Sequence, residues 1–180
     1  MENLIIDIII DFGYLGIFLL IAIENLFPPI PSELILAFSG FIAKPLNLNL
    51  PLIIISSTLG SLFGAILLYY FGTKLKNINF TSSLKYFEEK GTISVFICRF
   101  IPIVRSLISI PAGMYKVKIP IFIILTTLGS LIWNTVIILI GNILGNNYSN
   151  IGSIISTYKY ILIFILIMYI IIKIIKRVKN

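Results

Sequence analysis

The sequence of 180 residues contains no histidine and only one cysteine, Cys98. An internal disulfide is therefore excluded, together with histidine-based general acids or bases and the common zinc and haem ligand sets. Charged residues are also scarce, at 12% of the chain. These absences remove most metal and hydrolase chemistry, so we predict a protein that is not an enzyme and that has no catalytic residue, metal or cofactor.

Hydrophobic residues, in contrast, make up 58% of the chain. The mean hydropathy of +1.07 lies well outside the range of soluble domains and predicts an integral membrane protein. No basic region precedes the first apolar run and no cleavage-site pattern follows it, so we expect no removable signal peptide. The net charge of +7 is expected to mark the cytoplasmic face and not a nucleic-acid site, because the basic residues are not interleaved with stacking aromatics.

Three apolar stretches are long enough to cross a bilayer, which takes about 20 residues of helix. They are 51–72, 120–145 and 154–173, and the last is followed by a basic tail, 174–180, of the kind that stops membrane transfer. We therefore predict an all-α polytopic protein, with residues 1–180 forming one membrane domain and about three full transmembrane helices.

Two further apolar regions, 12–43 and 92–114, are interrupted by prolines. Each arm is too short to span the bilayer, and proline cannot continue a helix, so we predict two re-entrant helical hairpins. The small-residue turns Ser39-Gly40 and Ala112-Gly113 end the two regions. The breaks are expected at Pro28, Pro29 and Pro31 in the first hairpin, and at Pro102 and Pro111, before Gly113, in the second.

The distribution of basic residues predicts the orientation of these elements. If both hairpins re-enter, the segment 73–91, the turn 115–118 and the C-terminus share one side and carry ten of the fourteen basic residues. That side should be cytoplasmic. The first hairpin is then expected to enter from outside and the second from the cytoplasm.

An internal repeat supports this arrangement. The peptide TLGSL occurs at 58–62 and at 127–131, and residues 53–72 align without gaps to 122–141 with eight identities in twenty positions. A proline-broken hairpin precedes each copy, which is the inverted-repeat organisation of secondary transporters.

Four ionisable residues lie where the bilayer is expected: Glu24, Glu33, Arg99 and Arg105. An unpaired charge at a helix centre costs roughly 2.5–3.5 kcal/mol, so these groups must be paired or hydrated. One interpretation is a structural ion-pair set that locks the hairpins together.

The other interpretation is a binding site for a phosphate headgroup. We expect Ser32 and Ser106 to cap half-helices that begin after the breaks, and the free N–H groups at such ends attract anions. Arg99 and Arg105 beside these ends favour phosphate, because guanidinium pairs bidentately with phosphate oxygens. Carboxylates in the same pocket compete with the anion unless they are protonated, so Glu24 and Glu33 are the predicted proton-coupling residues.

These motifs, in chain order, resemble the DedA family, also called the SNARE-associated or VTT-domain family. The resemblance rests on ENLFPPIPSE, TLGSLFGAILLYYFG, FEEKG, RFIPIVRSLISIPAG, GSLIWN and GNILG. It implies a polytopic membrane protein with two facing re-entrant hairpins, associated with phospholipid flipping, recycling of undecaprenyl phosphate and proton-dependent envelope homeostasis. By position, the family's essential acids match Glu24 and Glu33, the latter in P-S-E where other members have P-G-D, and its essential arginines match Arg99 and Arg105. The segment between Gly72 and Phe87 is shorter than in other members.

The leading hypothesis is therefore a transporter or flippase of a phosphate-bearing lipid, undecaprenyl phosphate or phosphatidylethanolamine, coupled to protons in the bacterial cytoplasmic membrane. The C-terminus is expected on the cytoplasmic side. The alternative is a non-transport membrane organiser in which the buried charges form a structural lock. An enzyme is disfavoured because Cys98 has no base partner in the sequence pattern. The expected partners are membrane lipids and protons, and the sequence leaves homo-oligomer formation open.

Overall fold

The computed structural model describes residues 2–27, 32–75, 91–101 and 104–145. Within these ranges the regular structure is helical and includes no strand. The expected span 154–173, the tail 174–180 and most of the segment 73–91 lie outside the described residues, and so do Pro28, Pro29, Pro31 and Pro102. The helices in chain order are α1 (Glu2–Leu26), α2 (Ser32–Phe41), α3 (Leu50–Lys74), α4 (Ser94–Ile97), α5 (Val104–Leu107), α6 (Ser109–Met114) and α7 (Ile119–Gly145).

Three of these helices are long and apolar enough to cross a membrane. They are α3, α7 and the part of α1 from Leu4 to Leu26. Their outer faces carry large exposed apolar side chains, such as Phe63 on α3 and Ile124 on α7, which a bilayer would cover. The chain is thus an all-helical, multi-pass membrane protein.

The helix α1 is longer than the apolar stretch from residue 12 to residue 23 on which the first hairpin was predicted. Asp7 and Asp11 do not interrupt it, because they are exposed on the same face, four residues apart. The helical backbone is broken instead at Gly13, which has φ 55° and ψ −126°. The piece that follows Gly13 has 13 residues and a length of about 20 Å, less than the roughly 30 Å hydrocarbon core.

The region 92–114 forms short helical pieces and not one continuous helix. The 3-10 turns Gly91–Ile93 and Cys98–Phe100 flank α4, and α5 and α6 follow after Ile101. Pro111 lies in the first turn of α6, where a missing N–H removes no helical hydrogen bond. The helix boundary next to Pro111 is therefore at Ile108, three residues earlier than predicted.

Glycines allow α2 and α6 to pack closely on the long helices α7 and α3, respectively. A Cβ atom added to Gly40 of α2 would lie 2.0 Å from the Ile138 carbonyl oxygen of α7, and one added to Gly141 of α7 would lie 2.1 Å from the Ala37 oxygen. The equivalent contacts join α6 to α3. They pair Gly113 with the Tyr69 oxygen at 2.1 Å and Gly72 with the Ile110 oxygen at 2.2 Å.

The two contact sets correspond through the sequence repeat. Gly72 aligns with Gly141 and Tyr69 aligns with Ile138 in the alignment of 53–72 with 122–141. Their partners Gly40 and Gly113 lie inside α2 and α6, so the predicted small-residue turns Ser39-Gly40 and Ala112-Gly113 are wrong and both pairs are helical. The close contacts of α2 with α7 and of α6 with α3 therefore involve aligned positions of the two long helices.

The buried apolar residues form two clusters around this crossing. One lies among α1, α2, α3 and α7 and includes Ile17, Ile35, Ile53 and Ile138. The other lies among α3, α7 and the short helices and includes Val95, Cys98, Ile108 and Phe122. Cys98 is buried here as a small apolar residue. The charged residues predicted in the sequence lie at the end of α1, at the start of α2, in the turn Cys98–Phe100 and in α5.

Candidate functional site

The predicted site residues lie at helix ends or in short helical turns. Glu24 lies in the last turn of α1, and Ser32 and Glu33 begin α2. Arg99 lies in the turn Cys98–Phe100, and Arg105 lies in α5. Glu24, Ser32, Arg99 and Arg105 are each at most 4% exposed, so the interruptions hold charged groups inside the bundle.

Arg105 and Glu24 form an ion pair between the two hairpin regions. The Arg105 Nη2 atom lies 3.6 Å from the Glu24 Oε2 atom, and both side chains are almost completely buried. The distance is beyond hydrogen-bond length, and Glu24 Oε2 has no hydrogen-bond partner among the described residues. The pair is charge-compensated but leaves an acceptor available on Glu24.

Arg99 has different partners. Its Nη2 atom donates to the Ser109 hydroxyl at 3.1 Å and to the Thr126 hydroxyl at 3.3 Å. Its Nε atom is buried and has no hydrogen-bond partner among the described residues. No carboxylate of the described ranges lies within ion-pair distance of Arg99, and the groups that accept hydrogen bonds from its guanidinium in those ranges are neutral hydroxyls.

Gly129 makes room for the Arg99 side chain. A Cβ atom at Gly129 would lie 2.9 Å from both Cβ and Cγ of Arg99 and 3.4 Å from the Phe96 oxygen. Gly60, which aligns with Gly129 in the repeat, plays the same part on α3, where its added Cβ would lie 2.5 Å from the Phe18 oxygen. Gly129 is therefore the packing position that admits an arginine to this crossing.

The four charges form one electrostatic cluster. Glu24 interacts with Arg105, Glu33 and Arg99, and Arg99 interacts with Arg105. Ser32 is buried at the start of α2, directly before Glu33. The Oε1 atom of Glu33 is buried without a hydrogen-bond partner in the described part of the chain. The structure thus brings the two predicted acids, the two predicted arginines and Ser32 together.

Ser106 differs from its predicted role. It is the third residue of α5, which begins at Val104, and so it does not precede a helix start. The prediction that Ser106 caps a half-helix is wrong, because the chain becomes helical soon after the break and Ser106 falls inside the turn. Ser106 directly follows Arg105 in the sequence and is buried, with 1% exposure.

Several polar residues of the bundle were missed by sequence analysis. Ser109 and Thr126 hold Arg99, and a buried network of Asn25, Ser57, Ser61 and Asn134 links α1, α3 and α7. A periodic signal was present in the sequence. Thr126, Ser130 and Asn134 recur every four residues in an otherwise apolar helix, which places them on one face. That face is buried and points toward Arg99 at one end.

This arrangement suits recognition of an anion. Two buried guanidinium groups lie in one cluster, and one of them has no carboxylate within ion-pair distance and no acceptor for its Nε–H in the part of the chain that the structure describes. Such donors bind phosphate oxygens strongly because charge-assisted hydrogen bonds are about twice as strong as neutral ones. The described residues contain no group of three histidine, cysteine, aspartate or glutamate side chains that could hold a metal ion.

Comparison with known proteins identifies the family. The family model described as VTT domain matches residues 30–143. No solved structure matches the chain. A protein of Lactococcus lactis subsp. lactis strain IL1403 named "Alkaline phosphatase-like protein" is 43% identical over 92% of this chain and 86% of its own length.

Two relatives have names that specify a cargo. The protein named "Undecaprenyl phosphate transporter A" of Staphylococcus aureus strain NCTC 8325 is 34% identical over 99% of this chain and 100% of its own length. The protein of the same name from Bacillus subtilis strain 168 is 30% identical over 82% of this chain and 80% of its own. On the family model and these full-length similarities, the chain belongs to the VTT-domain family of membrane proteins, also called the DedA family.

Proposed function

We propose that this protein transports a phosphate-bearing lipid across the bacterial cytoplasmic membrane and that the buried arginine cluster binds the phosphate. The observation that carries the proposal is the state of Arg99. It is 2% exposed, has no carboxylate within ion-pair distance in the described residues, and keeps an unpartnered Nε–H. A buried charge without an adjacent carboxylate is costly in a membrane protein, and a phosphate ligand in contact with Arg99 would lower that cost.

Undecaprenyl phosphate is the first substrate to test. Two relatives that cover most of this chain are named as transporters of that lipid, and its single phosphate group matches the donors at Arg99 and Arg105. Phosphatidylethanolamine is the second substrate, because it also carries an anionic phosphate, here a phosphodiester next to an ammonium group. A comparison of the two lipids tests whether the terminal phosphate or any phosphate headgroup is recognised.

Proton coupling is the proposed role of Glu24 and Glu33. Glu24 lies 3.6 Å from Arg105, so an ionised carboxylate competes with phosphate for that guanidinium. Protonation of Glu24 would release Arg105 to the lipid, and Glu33, with its unpartnered buried Oε1, would serve as the neighbouring acceptor. Binding of protons and of phosphate would then favour each other through the same arginine.

The reciprocal packing of the two halves supports alternating access to this site. Gly40 of α2 against α7 and Gly113 of α6 against α3 make equivalent close contacts, as expected for inverted repeats that rock against each other around a central site. In this proposal the two hairpins are re-entrant and meet at the arginine cluster. The basic segments 73–91 and 174–180 would face the cytoplasm, which places the C-terminus on that side.

The test is lipid translocation by purified full-length protein in proteoliposomes. Labelled undecaprenyl phosphate and labelled phosphatidylethanolamine would be assayed separately, with and without a pH gradient, in wild type, Arg99→Ala and Glu33→Gln. Lys118→Ala, an exposed cation outside the cluster, is the matched control. We expect transport of one lipid that is lost in Arg99→Ala, that no longer responds to the gradient in Glu33→Gln, and that is retained in Lys118→Ala. Transport that persists in Arg99→Ala would contradict the assignment of the site.

A membrane organiser is the second candidate, and the Arg105–Glu24 ion pair favours it because that pair joins α1 to α5 directly. In that case the four charges serve only to lock the hairpins. Folded protein that moves neither lipid would support this candidate.

Phosphate-ester hydrolysis, which the name of the Lactococcus relative suggests for that protein, has less support here. The chain has no histidine, and Cys98 is buried against apolar residues. Release of inorganic phosphate from undecaprenyl phosphate by the purified protein would revive an enzymatic role.

A further inference from the structure

The first piece of α1, residues 2–12, folds back against the piece that follows it. Gly13, between the two pieces, has φ 55° and ψ −126°, a backbone conformation that glycine adopts far more readily than other residues. A Cβ atom added to Gly16 would lie 2.6 Å from the Ile8 carbonyl oxygen and 3.2 Å from Ile8 Cγ2. In a continuous helix these two residues would be about 12 Å apart along the axis. The two pieces of α1 therefore touch each other and do not form one straight span.

The corner at Gly13 is fixed to the beginning of α3. The backbone N–H of Asn49 donates to the Tyr14 hydroxyl at 2.7 Å, and the Ser56 hydroxyl donates to the Tyr14 carbonyl oxygen. Asn49 directly precedes Leu50, the first residue of α3, and α3 is long and apolar enough to cross the bilayer. The beginning of such a helix lies near a surface of the membrane, because its length is close to the bilayer thickness. The corner therefore lies near that surface as well.

One face of residues 2–12 is buried in the protein, and the opposite face is acidic. Ile5 and Ile9 are 2% and 0% exposed and belong to the apolar cluster that includes residues of α2, α3 and α7. Asp7 and Asp11 are exposed, and each lies two positions from a buried isoleucine, which is about 200° around a helix. The buried face holds this piece against the bundle, so the acidic face points away from the bundle.

A third face, between the buried and the acidic ones, is apolar and open. Ile10 is 53% exposed, and Ile6, four positions earlier on the same face, is partly exposed. At about 100° per residue, Ile10 lies about 100° from Ile9 and about 60° from Asp7. An exposed apolar face beside a charged face is typical of helices that lie in the plane of the membrane surface.

Length and charge disfavour a path of this piece through the bilayer. Residues 2–12 make a helix of about 17 Å, little more than half of the roughly 30 Å hydrocarbon core. Carboxylates in hydrocarbon are costly unless they are paired, and neither Asp7 nor Asp11 has a cation within ion-pair distance in the described ranges. Both carboxylates are therefore expected in the headgroup layer or in water.

We propose that residues 2–12 form an interfacial helix that lies in the membrane surface beside the beginning of α3. Ile6 and Ile10 face the lipid chains, and Asp7 and Asp11 face the headgroups and water. The partner of this surface is the lipid–water boundary itself. With the end of α3 in the cytoplasm this boundary is the outer one, and that choice of side alone rests on the proposed function.

The first test measures the fold-back as a distance. Spin labels at Leu4 and Ile23, both exposed and 19 positions apart, would be separated by about 28 Å along a straight helix. Leu52 and Phe71 of α3, also exposed and 19 positions apart, are the matched control pair. Each pair would be introduced as cysteines with Cys98→Ala into the full-length protein, which is reconstituted in vesicles of phosphatidylethanolamine and phosphatidylglycerol. By electron paramagnetic resonance we expect a clearly shorter distance for the α1 pair than for the control pair, and equal distances would overturn the proposal.

The second test measures depth in the same vesicles. Single labels at Asp7→Cys and Ile10→Cys would be compared for collision with oxygen, which concentrates in hydrocarbon, and with a water-soluble nickel complex. A label at Phe63, exposed near the middle of α3, is the reference for the bilayer interior. We expect the Asp7 label to collide mainly with nickel, and the Ile10 label to collide mainly with oxygen at a shallower depth than the Phe63 label.

Two results of the depth measurement would overturn the proposal. An Ile10 label reached mainly by nickel would place the helix off the membrane, and an Asp7 label as deep as the Phe63 label would place it inside the bilayer. Neither test involves a transported lipid, so a failure of the interfacial helix is separate from a failure of phosphate-lipid transport.

Discussion

Arg99→Met and Arg105→Met should change the stability of the ligand-free protein by different amounts, because the two guanidinium groups have different partners. Methionine keeps most of the apolar length of the arginine side chain, so the substitution removes the charge with little change in packing volume. Arg105 is paired with Glu24 at 3.6 Å, whereas Arg99 is held by the hydroxyls of Ser109 and Thr126.

The magnitudes follow from these contacts. Removing one partner of a buried ion pair costs about 3–5 kcal/mol, so Arg105→Met should lower the free energy of unfolding by about that amount. Removing Arg99 gains roughly 2.5–3.5 kcal/mol from the loss of an uncompensated membrane charge. It also loses two charge-assisted hydrogen bonds of about 1.5 kcal/mol each, taken at the low end because the distances of 3.1 and 3.3 Å are long. The two contributions nearly cancel, and Arg99→Met should stay within about 1 kcal/mol of wild type.

The assay is reversible unfolding of the purified protein in mixed micelles titrated with sodium dodecyl sulfate, followed by Trp133 fluorescence. Lys44→Met, an exposed cation in the loop before α3, is the control for loss of a charge as such. The double variant Glu24→Gln with Arg105→Met should recover part of the stability that Arg105→Met loses, because no buried charge is left unpaired. Equal destabilisation by Arg99→Met and Arg105→Met would refute the reasoning and make both arginines part of a structural lock.

Three further sets of substitutions test the packing in and around the cluster. Gly129→Ala should abolish lipid translocation in proteoliposomes, because the new methyl group would lie 2.9 Å from Arg99 Cβ and Cγ and displace the guanidinium. The protein should remain folded by size-exclusion chromatography. Full transport would show that Arg99 tolerates the shift. Gly40→Ala and Gly113→Ala should lower the thermal unfolding temperature by similar amounts, corresponding to about 1–3 kcal/mol or more, since each Cβ would lie 2.0–2.1 Å from a carbonyl oxygen of the opposite half; a large effect at only one of them would contradict equivalent packing. Thr126→Val together with Ser109→Ala removes both hydroxyls that hold the Arg99 side chain, and should weaken binding of undecaprenyl phosphate about tenfold in a lipid-binding titration. The control Ser130→Ala, on the same face of α7, should leave that binding unchanged.

The two long helices α3 and α7 could be predicted because charged residues lie on both sides of each uncharged run. The span 51–72 lies within α3 and the span 120–145 almost coincides with α7, because uncharged runs longer than a bilayer leave few other choices. The start of α1 was harder to predict. The first hairpin was predicted to begin at residue 12, directly after Asp11, but a charge on an exposed face of a helix does not end that helix. The break occurs at Gly13, whose backbone conformation glycine permits but does not require.

The candidate site was predictable in its charges and not in its neutral partners. Four charges in an apolar sequence have to meet, and the structure brings Glu24, Glu33, Arg99 and Arg105 into one cluster. The sequence contains many serines and threonines, and no pattern in it distinguishes Ser109 and Thr126. These two contact Arg99 because the Arg99 side chain packs against α7 at Gly129. The re-entrant geometry of the hairpins and the span 154–173 remain predictions.

The most direct test of the phosphate site is native mass spectrometry of the wild-type protein with undecaprenyl phosphate and with undecaprenol, which lacks the phosphate. Two buried arginines, one of them without a carboxylate partner in the described residues, predict a complex with the phosphorylated lipid that is lost in Arg99→Met and a much weaker complex with the alcohol. Equal binding of the two lipids, or unchanged binding of undecaprenyl phosphate by Arg99→Met, would contradict the claim that the arginine cluster recognises phosphate.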